Sequence, residues 1–296
     1  MATTPTMLER ERSHARLAAY WLPACTLALA PVAYADLLFE PRVAVGVIHT
    51  DNLTLDSGDD PQAETVYEVV PSFRFEQESP RVSSSANYRV EGYRYSSLDA
   101  DEVYNILYGR LRVEPDPDNF FLDLGASRDQ AIRDLTAPIA TSNLPISTNR
   151  MDRDEAYFGP SFTYPIGDNV TAGGQFRRTR VRYDEPETGF AFARDFDVDT
   201  TEFSLDNYQK ELGFTWATRY SAEKTEYAFF PSYEYRQAAV EIGAWLGQRV
   251  RLFGTKGKES AWDTPFDPSL EDDFWEVGVA TRDNDRFTAE VATGER

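Results

Sequence analysis

The sequence predicts an all-β protein, an antiparallel up-and-down transmembrane β-barrel of the outer-membrane type with about 12–14 strands. Three observations lead there. Apolar and polar residues alternate with period two along most of the chain, tight connections take turns with long polar ones, and an export segment stands at the N-terminus.

That segment carries Arg10, Arg12 and Arg16, then the apolar run "LAAYWLPACTLALAPVAYA" ending in the small residues Ala33 and Ala35. Residues 1–35 read as a secretory signal peptide of the Sec pathway, cleaved before Asp36, with 36–296 as one barrel domain. Pro23 and Pro31 interrupt the run and argue against a transmembrane anchor. Leu22 and Ala24 would suit lipidation of Cys25, but the residues after it stay largely apolar to Ala30, where a lipidated cysteine would begin a polar tether.

The first two strands are predicted at about 40–48 and 64–76, separated by the polar segment 49–63. The turn "QESP" leads to a strand at 81–95, with Val82, Ala86, Tyr88 and Val90 on one face and Arg81, Asn87, Arg89 and Glu91 on the other. After the short link near 96–101, Val103, Leu107, Leu111 and Val113 oppose Tyr104, Tyr108, Arg110, Arg112 and Glu114 in a strand at 102–114. "PDPDN" turns the chain into 120–128, where Leu122, Leu124 and Ala126 alternate with Asp123, Gly125 and Ser127. A long loop, 129–152, precedes 153–164, in which Ala156, Phe158, Pro160 and Phe162 oppose Glu155, Gly159, Ser161 and Thr163. "PIGDN" turns into 170–183, whose run "RRTRVRY" sets Arg178, Arg180 and Arg182 on one face and Arg177, Val181 and Tyr183 on the other. The loop 184–198 leads to strands at 199–207 and 210–220, and the loop 221–231 to 232–246, where Val240, Ile242, Ala244 and Leu246 oppose Glu241 and Gly243. Strands at 249–257, 273–282 and 286–294 follow, joined by the loop 258–272 and the turn "DND".

If successive strands are antiparallel neighbours, the tight turns gather at one end and the long loops at the other, as in outer-membrane barrels. A soluble sandwich has no physical reason to sort its connections so consistently. The apolar face is therefore expected to meet lipid and the other a wet lumen, with Tyr67, Tyr93, Tyr95, Phe120 and Tyr183 among the aromatics available for interfacial girdles.

A net charge of −20 removes the electrostatic footprint of a nucleic-acid binder. Beyond residue 35 the sequence has one histidine, His49, and no cysteine. His/Cys metal sites and cysteine nucleophiles are thereby excluded, and no G-x-S-x-G pattern recruits His49 to a serine. Acidic clusters at 56–60, 99–102, 114–119 and 270–273 lack the spacing of a calcium loop. No catalytic, cofactor or metal residue is expected. Arg178, Arg180 and Arg182 are the candidate contacts, either with lumen solutes or with lipopolysaccharide phosphates, set against a charge ladder within the wall.

The stretches "VGVIHTDNLTL", "ETVYEVVPSFRFEQESPRVSSSANYRVEGYRY", "RDEAYFGPSFTYPIGDNVTAGGQFRRTRVRY", "AAVEIGAWLGQRVRLFGTKGKE" and "FWEVGVATRDNDRFTAEVATGER" resemble the outer-membrane β-barrel proteins associated with PEP-CTERM/exosortase systems and their exopolysaccharide loci. The resemblance covers nearly all of 36–296 and implies a non-enzymatic barrel serving exopolysaccharide export or the sorting of surface proteins. Implied partners are outer-membrane lipid and lipopolysaccharide, exopolysaccharide or sorted proteins, and the barrel-assembly machinery. A porin-like diffusion channel and a docking barrel are the alternatives. Members of that family look longer, so this chain is expected to be C-terminally truncated. An odd strand count supports this, and an open edge would leave backbone groups unpaired in lipid at several kcal/mol each.

Overall fold

A computed structural model describes residues 36–53, 62–98, 101–132, 142–145, 149–184, 195–207, 213–228, 231–247, 250–262, 269–282 and 288–295. The signal peptide predicted at 1–35 and the acidic cluster at 56–60 lie outside them. Thirteen strands form one sheet in chain order: β1 (Asp36–Thr50), β2 (Glu64–Ser79), β3 (Val82–Tyr95), β4 (Asp101–Asp116), β5 (Phe120–Ile132), β6 (Arg150–Ile166), β7 (Val170–Tyr183), β8 (Phe196–Asp206), β9 (Phe214–Tyr227), β10 (Tyr233–Leu246), β11 (Val250–Trp262), β12 (Ser269–Arg282) and β13 (Thr288–Glu295). Each is antiparallel to the next. Among the described residues β1 is paired only with β2, and β13 only with β12.

The connections sort as expected. One end of the sheet carries those at 80–81, 117–119, 167–169, 207–213, 247–249 and 283–287, and the other those at 51–63, 96–100, 133–149, 184–195, 228–232 and 263–268. In "PDPDN" Asp118 adopts a φ of 64° and Asn119 N–H donates to the Asp116 carbonyl at 3.1 Å, which reverses the chain in three residues. Gly167 does the same for "PIGDN" at a φ of 64°, where a side chain would be strained.

The strands run further toward the loop end than the apolar pattern predicts. β5 continues to Ile132, β9 to Tyr227 and β11 to Trp262, while β6 begins at Arg150 and β8 at Phe196, all inside predicted loops. The reason is geometric. A 14-residue strand such as β7 rises about 3.3 Å per residue, so at a tilt of about 40° it reaches roughly 35 Å, some 10 Å beyond an apolar band of about 25 Å. The excess is built from charged residues, which hide the strand from a reading based on apolar alternation.

Cross-strand register shows which residues share a face. Val45, Val69, Gly92 and Val103 lie in one hydrogen-bonded row. Another row begins at Phe39 and passes through Phe75, Ala86, Gly109, Ala126, Ala156, Arg180 and Asp197. It starts near the turn end of β1 and finishes near the loop end of β8, the stagger that tilted strands in a barrel wall require. This face is apolar over most of its height and unusually exposed for a folded protein: Val43 and Val45 are 71% and 77% exposed. Val240, Ile242, Leu252 and Val277 continue it on β10–β12.

The opposite face is polar and concave. A cavity of about 750 Å³ joins Asp36 and Leu38 of β1 to Tyr157 of β6 and Arg177 of β7, strands far apart in the sheet. Among the described residues buried apolar side chains are few, and their main cluster sits at the loop end, where Leu53, Val66, Tyr93 and Tyr95 pack with Leu98, Tyr104 and Leu144. An exposed apolar convex face around a polar concavity is the layout of a β-barrel of outer-membrane type, since only lipid makes such an exterior favourable. No described helix is long and apolar enough to cross a membrane.

Candidate functional site on the concave face

The concave wall is assembled from the polar half of each alternating strand. Glycines set close approaches on it. Tyr157 lies directly across from Gly125, with its ring over the space a Cβ would take, and Phe274 covers Gly257 in the same way. Such aromatic cover holds register and closes the gap that glycine leaves in a curved wall.

Arginines and carboxylates are arranged unevenly on this face. Arg112 donates two hydrogen bonds to Asp123, at 2.8 and 2.9 Å, and stacks on Phe121 with 5.5 Å to the ring centroid. Glu241, nearly buried, accepts from Arg219 at 3.2 Å and is also paired with Arg251. Glu202, Glu259 and Glu276 face the same interior without an ion pair among the described residues. Arg110 and Arg177 also lack one: Arg110 Nε donates to Ser85 Oγ at 3.2 Å, and Arg177 lies over the Tyr157 ring at 4.5 Å.

At the loop end, part of the β5–β6 connection folds against the inner wall. The Tyr95 hydroxyl donates to the Leu144 carbonyl at 3.0 Å, Asn143 Nδ2 donates to Glu91 Oε2 at 2.7 Å, and Arg150 donates to Asn143 Oδ1 at 2.5 Å. Glu64 fastens the neighbouring β3–β4 link by accepting from Ser96 N, Ser96 Oγ and Ser97 N at 3.1, 2.6 and 3.1 Å. The sequence gives no sign of this closure, because the contacts that tie it to β2 and β3 join residues 32 to 52 positions apart.

The three arginines singled out from sequence stand on the convex face instead. Arg178, Arg180 and Arg182 share the side of Phe158 and Ala156, above the apolar band toward the loop end. All three reach Asp197, at 3.3, 3.4 and 2.6 Å, while Arg178 also meets Asp199 at 3.6 Å and Arg182 meets Asp195 at 3.8 Å. Beside them Arg128 contacts Asp152, Asp154 and Asp184 at 2.8, 3.6 and 3.3 Å. Burial, and then the Asp152 carboxylate, push the Asp184 carboxyl up to about 6 against the pull of Arg128.

His49 is held at the loop end, its Nδ1 3.2 Å from Thr65 Oγ1. No group of three His, Cys, Asp or Glu side chains with metal-binding geometry occurs among the described residues. Of the acidic residues at 114–119, Glu114 and Asp116 end β4, where Asp116 accepts from the Tyr164 hydroxyl at 2.8 Å, and Asp118 lies in the turn; those at 270–273 lie within β12.

No family model and no curated protein matches the chain. Two solved outer-membrane proteins are similar at low level. OmpF of Salmonella typhi, in complex with daunomycin, is 10% identical over 88% of this chain and 89% of its own, with a TM-score of 0.37. A loop L8 deletion mutant of OmpT from Vibrio cholerae is 9% identical over 83% of this chain and 98% of its own, with a TM-score of 0.38.

Proposed function

We propose that the chain is a non-enzymatic outer-membrane barrel whose polar concavity conducts small hydrophilic solutes, as a porin-like diffusion channel does. The carrying observation is the division of the wall by residue parity. Val43, Val45, Val240 and Ile242 are exposed on the convex side, while the concave side presents Glu76, Arg110, Glu202 and Glu276. Lipid would favour the first surface and water the second. Export through the Sec pathway and insertion by the barrel-assembly machinery belong to this reading. The export of exopolysaccharide or sorted surface proteins rests on the sequence resemblance alone and is secondary to the conduit.

The test begins with outer membranes from cells expressing the chain. A folded barrel should migrate anomalously on a gel before boiling and normally after it, and the purified protein should give discrete conductance steps in planar bilayers. Heat-modifiable protein without conductance would replace the channel by a docking barrel. Unaltered migration would remove the membrane-inserted body itself.

The convex charged tier supports a second assignment. Arg178, Arg180 and Arg182 stand where the headgroups of the outer leaflet would begin and are 45%, 59% and 40% exposed despite their aspartates. We infer that they contact lipopolysaccharide phosphates. Thermal protection of the purified protein by lipopolysaccharide should be lost when the three are changed together to glutamine. Equal protection of the variant would remove the assignment.

A further inference from the structure

Two guanidiniums on the concave face are left uncompensated by the wall that holds them. Arg110 lies across from Ser85 on β3 and Gly125 on β5, and Arg177 lies across from Thr200 on β8 and beside Gly159 on β6. Every one of these neighbours is small and neutral. On the convex tier, by contrast, Arg178, Arg180 and Arg182 each meet an aspartate, and nearby Arg112 is neutralised by Asp123. Curvature of the sheet brings Arg110 and Arg177 to one cavity of about 750 Å³, together with Ser83, Ser85 and Tyr157. Its other side is formed by Asp36, Glu76 and Glu78; Glu76 is ion-paired with Arg74, while Asp36 and Glu78 have no ion pair among the described residues.

We propose that this cavity is a subsite for a small hydroxylated carboxylate, of the uronic acid class. The proposal rests on the conduit reading for the solute's route of access. Guanidiniums recognise a carboxylate through two parallel N–H···O bonds, and a planar arginine stacked on an aromatic ring is pre-organised for it. Arg177 is so stacked on Tyr157, and Arg110 is steadied through Nε by Ser85, which leaves its terminal nitrogens to the cavity. The serine hydroxyls of β3 and the carboxylates of Asp36 and Glu78 suit the hydroxyls of a sugar. These carboxylates and that of Glu76 disfavour a second anionic group on that side, so the site is matched to one negative charge. A volume of this size lies within the range that encloses a single small ligand.

The test is equilibrium binding of galacturonate and galactose to the full chain in detergent by calorimetry, alongside current recordings in planar bilayers with each sugar. Galacturonate should bind and reduce the current, galactose should do neither, and Arg110→Gln or Arg177→Gln should weaken galacturonate binding about tenfold or more. Arg42→Gln removes a concave-face arginine outside the cavity and should leave binding unchanged. Heat-modifiable migration of each variant verifies its fold. The subsite is overturned if galacturonate binds no better than galactose, or binds Arg110→Gln and Arg177→Gln as it binds the parent. Binding without conductance would overturn the channel and keep the subsite, whereas conductance without binding would do the reverse.

Discussion

Gly257 illustrates how a single residue fixes the wall. A Cβ there would come within 2.3 Å of the Phe274 ring and 2.8 Å of the Ala238 carbonyl oxygen, and Phe274 is nearly buried. Since backbone as well as ring would have to move, Gly257→Ala should destabilise the folded barrel by about 1–3 kcal/mol, read as a lower melting temperature in detergent. An unchanged melting temperature would mean that the ring's cover is not packed tightly. Asp184 makes a prediction of the opposite sign. Its raised carboxyl pKa means that the folded state holds the proton more firmly than the unfolded chain does, between about pH 4 and about pH 6. Stability from this group is therefore present at low pH and is lost as pH rises through that window. Asp184→Asn should melt like the parent near pH 4 and higher than the parent at pH 7.5, and a difference that does not change with pH would refute the shift.

At the scale of the element, β7 and β8 form a strand pair whose upper half is held by charge on its convex face, with Val181 buried on the other. Asp197 is the centre of that pairing, since its side chain is only 13% exposed and is approached by three arginines. Removing it leaves those guanidiniums crowded on one face without their shared partner, so Asp197→Asn should cost about 1–3 kcal/mol. Hydrogen exchange should speed up at the loop-end amides of β7 and β8 and stay unchanged at their turn ends. A uniform response along both strands would show that the ladder is not a separate unit of stability. This pair also shows where sequence reading falls short. "RRTRVRY" revealed the alternation and the two arginine sets, but its partners lie beyond the loop 184–195, and β8 begins earlier than its apolar pattern suggests.

For the whole molecule, the balance of charge inside the concavity governs which ions would pass. On β8–β12, Glu202, Glu223, Glu259 and Glu276 outnumber Arg219 and Arg251, and a conduit lined this way concentrates cations. Bilayer currents in a potassium chloride gradient should reverse at a potential favouring potassium over chloride, less strongly as salt is raised. A chloride preference would mean that ions take another route. The carboxylate subsite near the turns is then a local exception in an acidic passage. By itself the sequence determined the all-β class, the antiparallel order, the sorting of turns from loops and which residues of a strand share a face, because a period of two is a local property of the backbone. Arg110 and Arg177 could each be assigned a face in this way. That they share a cavity with Asp36 and Tyr157, that Glu64 fastens a link 32 positions away and that Arg178 stands on the convex face were decided only by tertiary structure. The tilt, stagger and curvature of the sheet, which set height and distance across the wall, accumulate over many strands and leave no trace in any one of them.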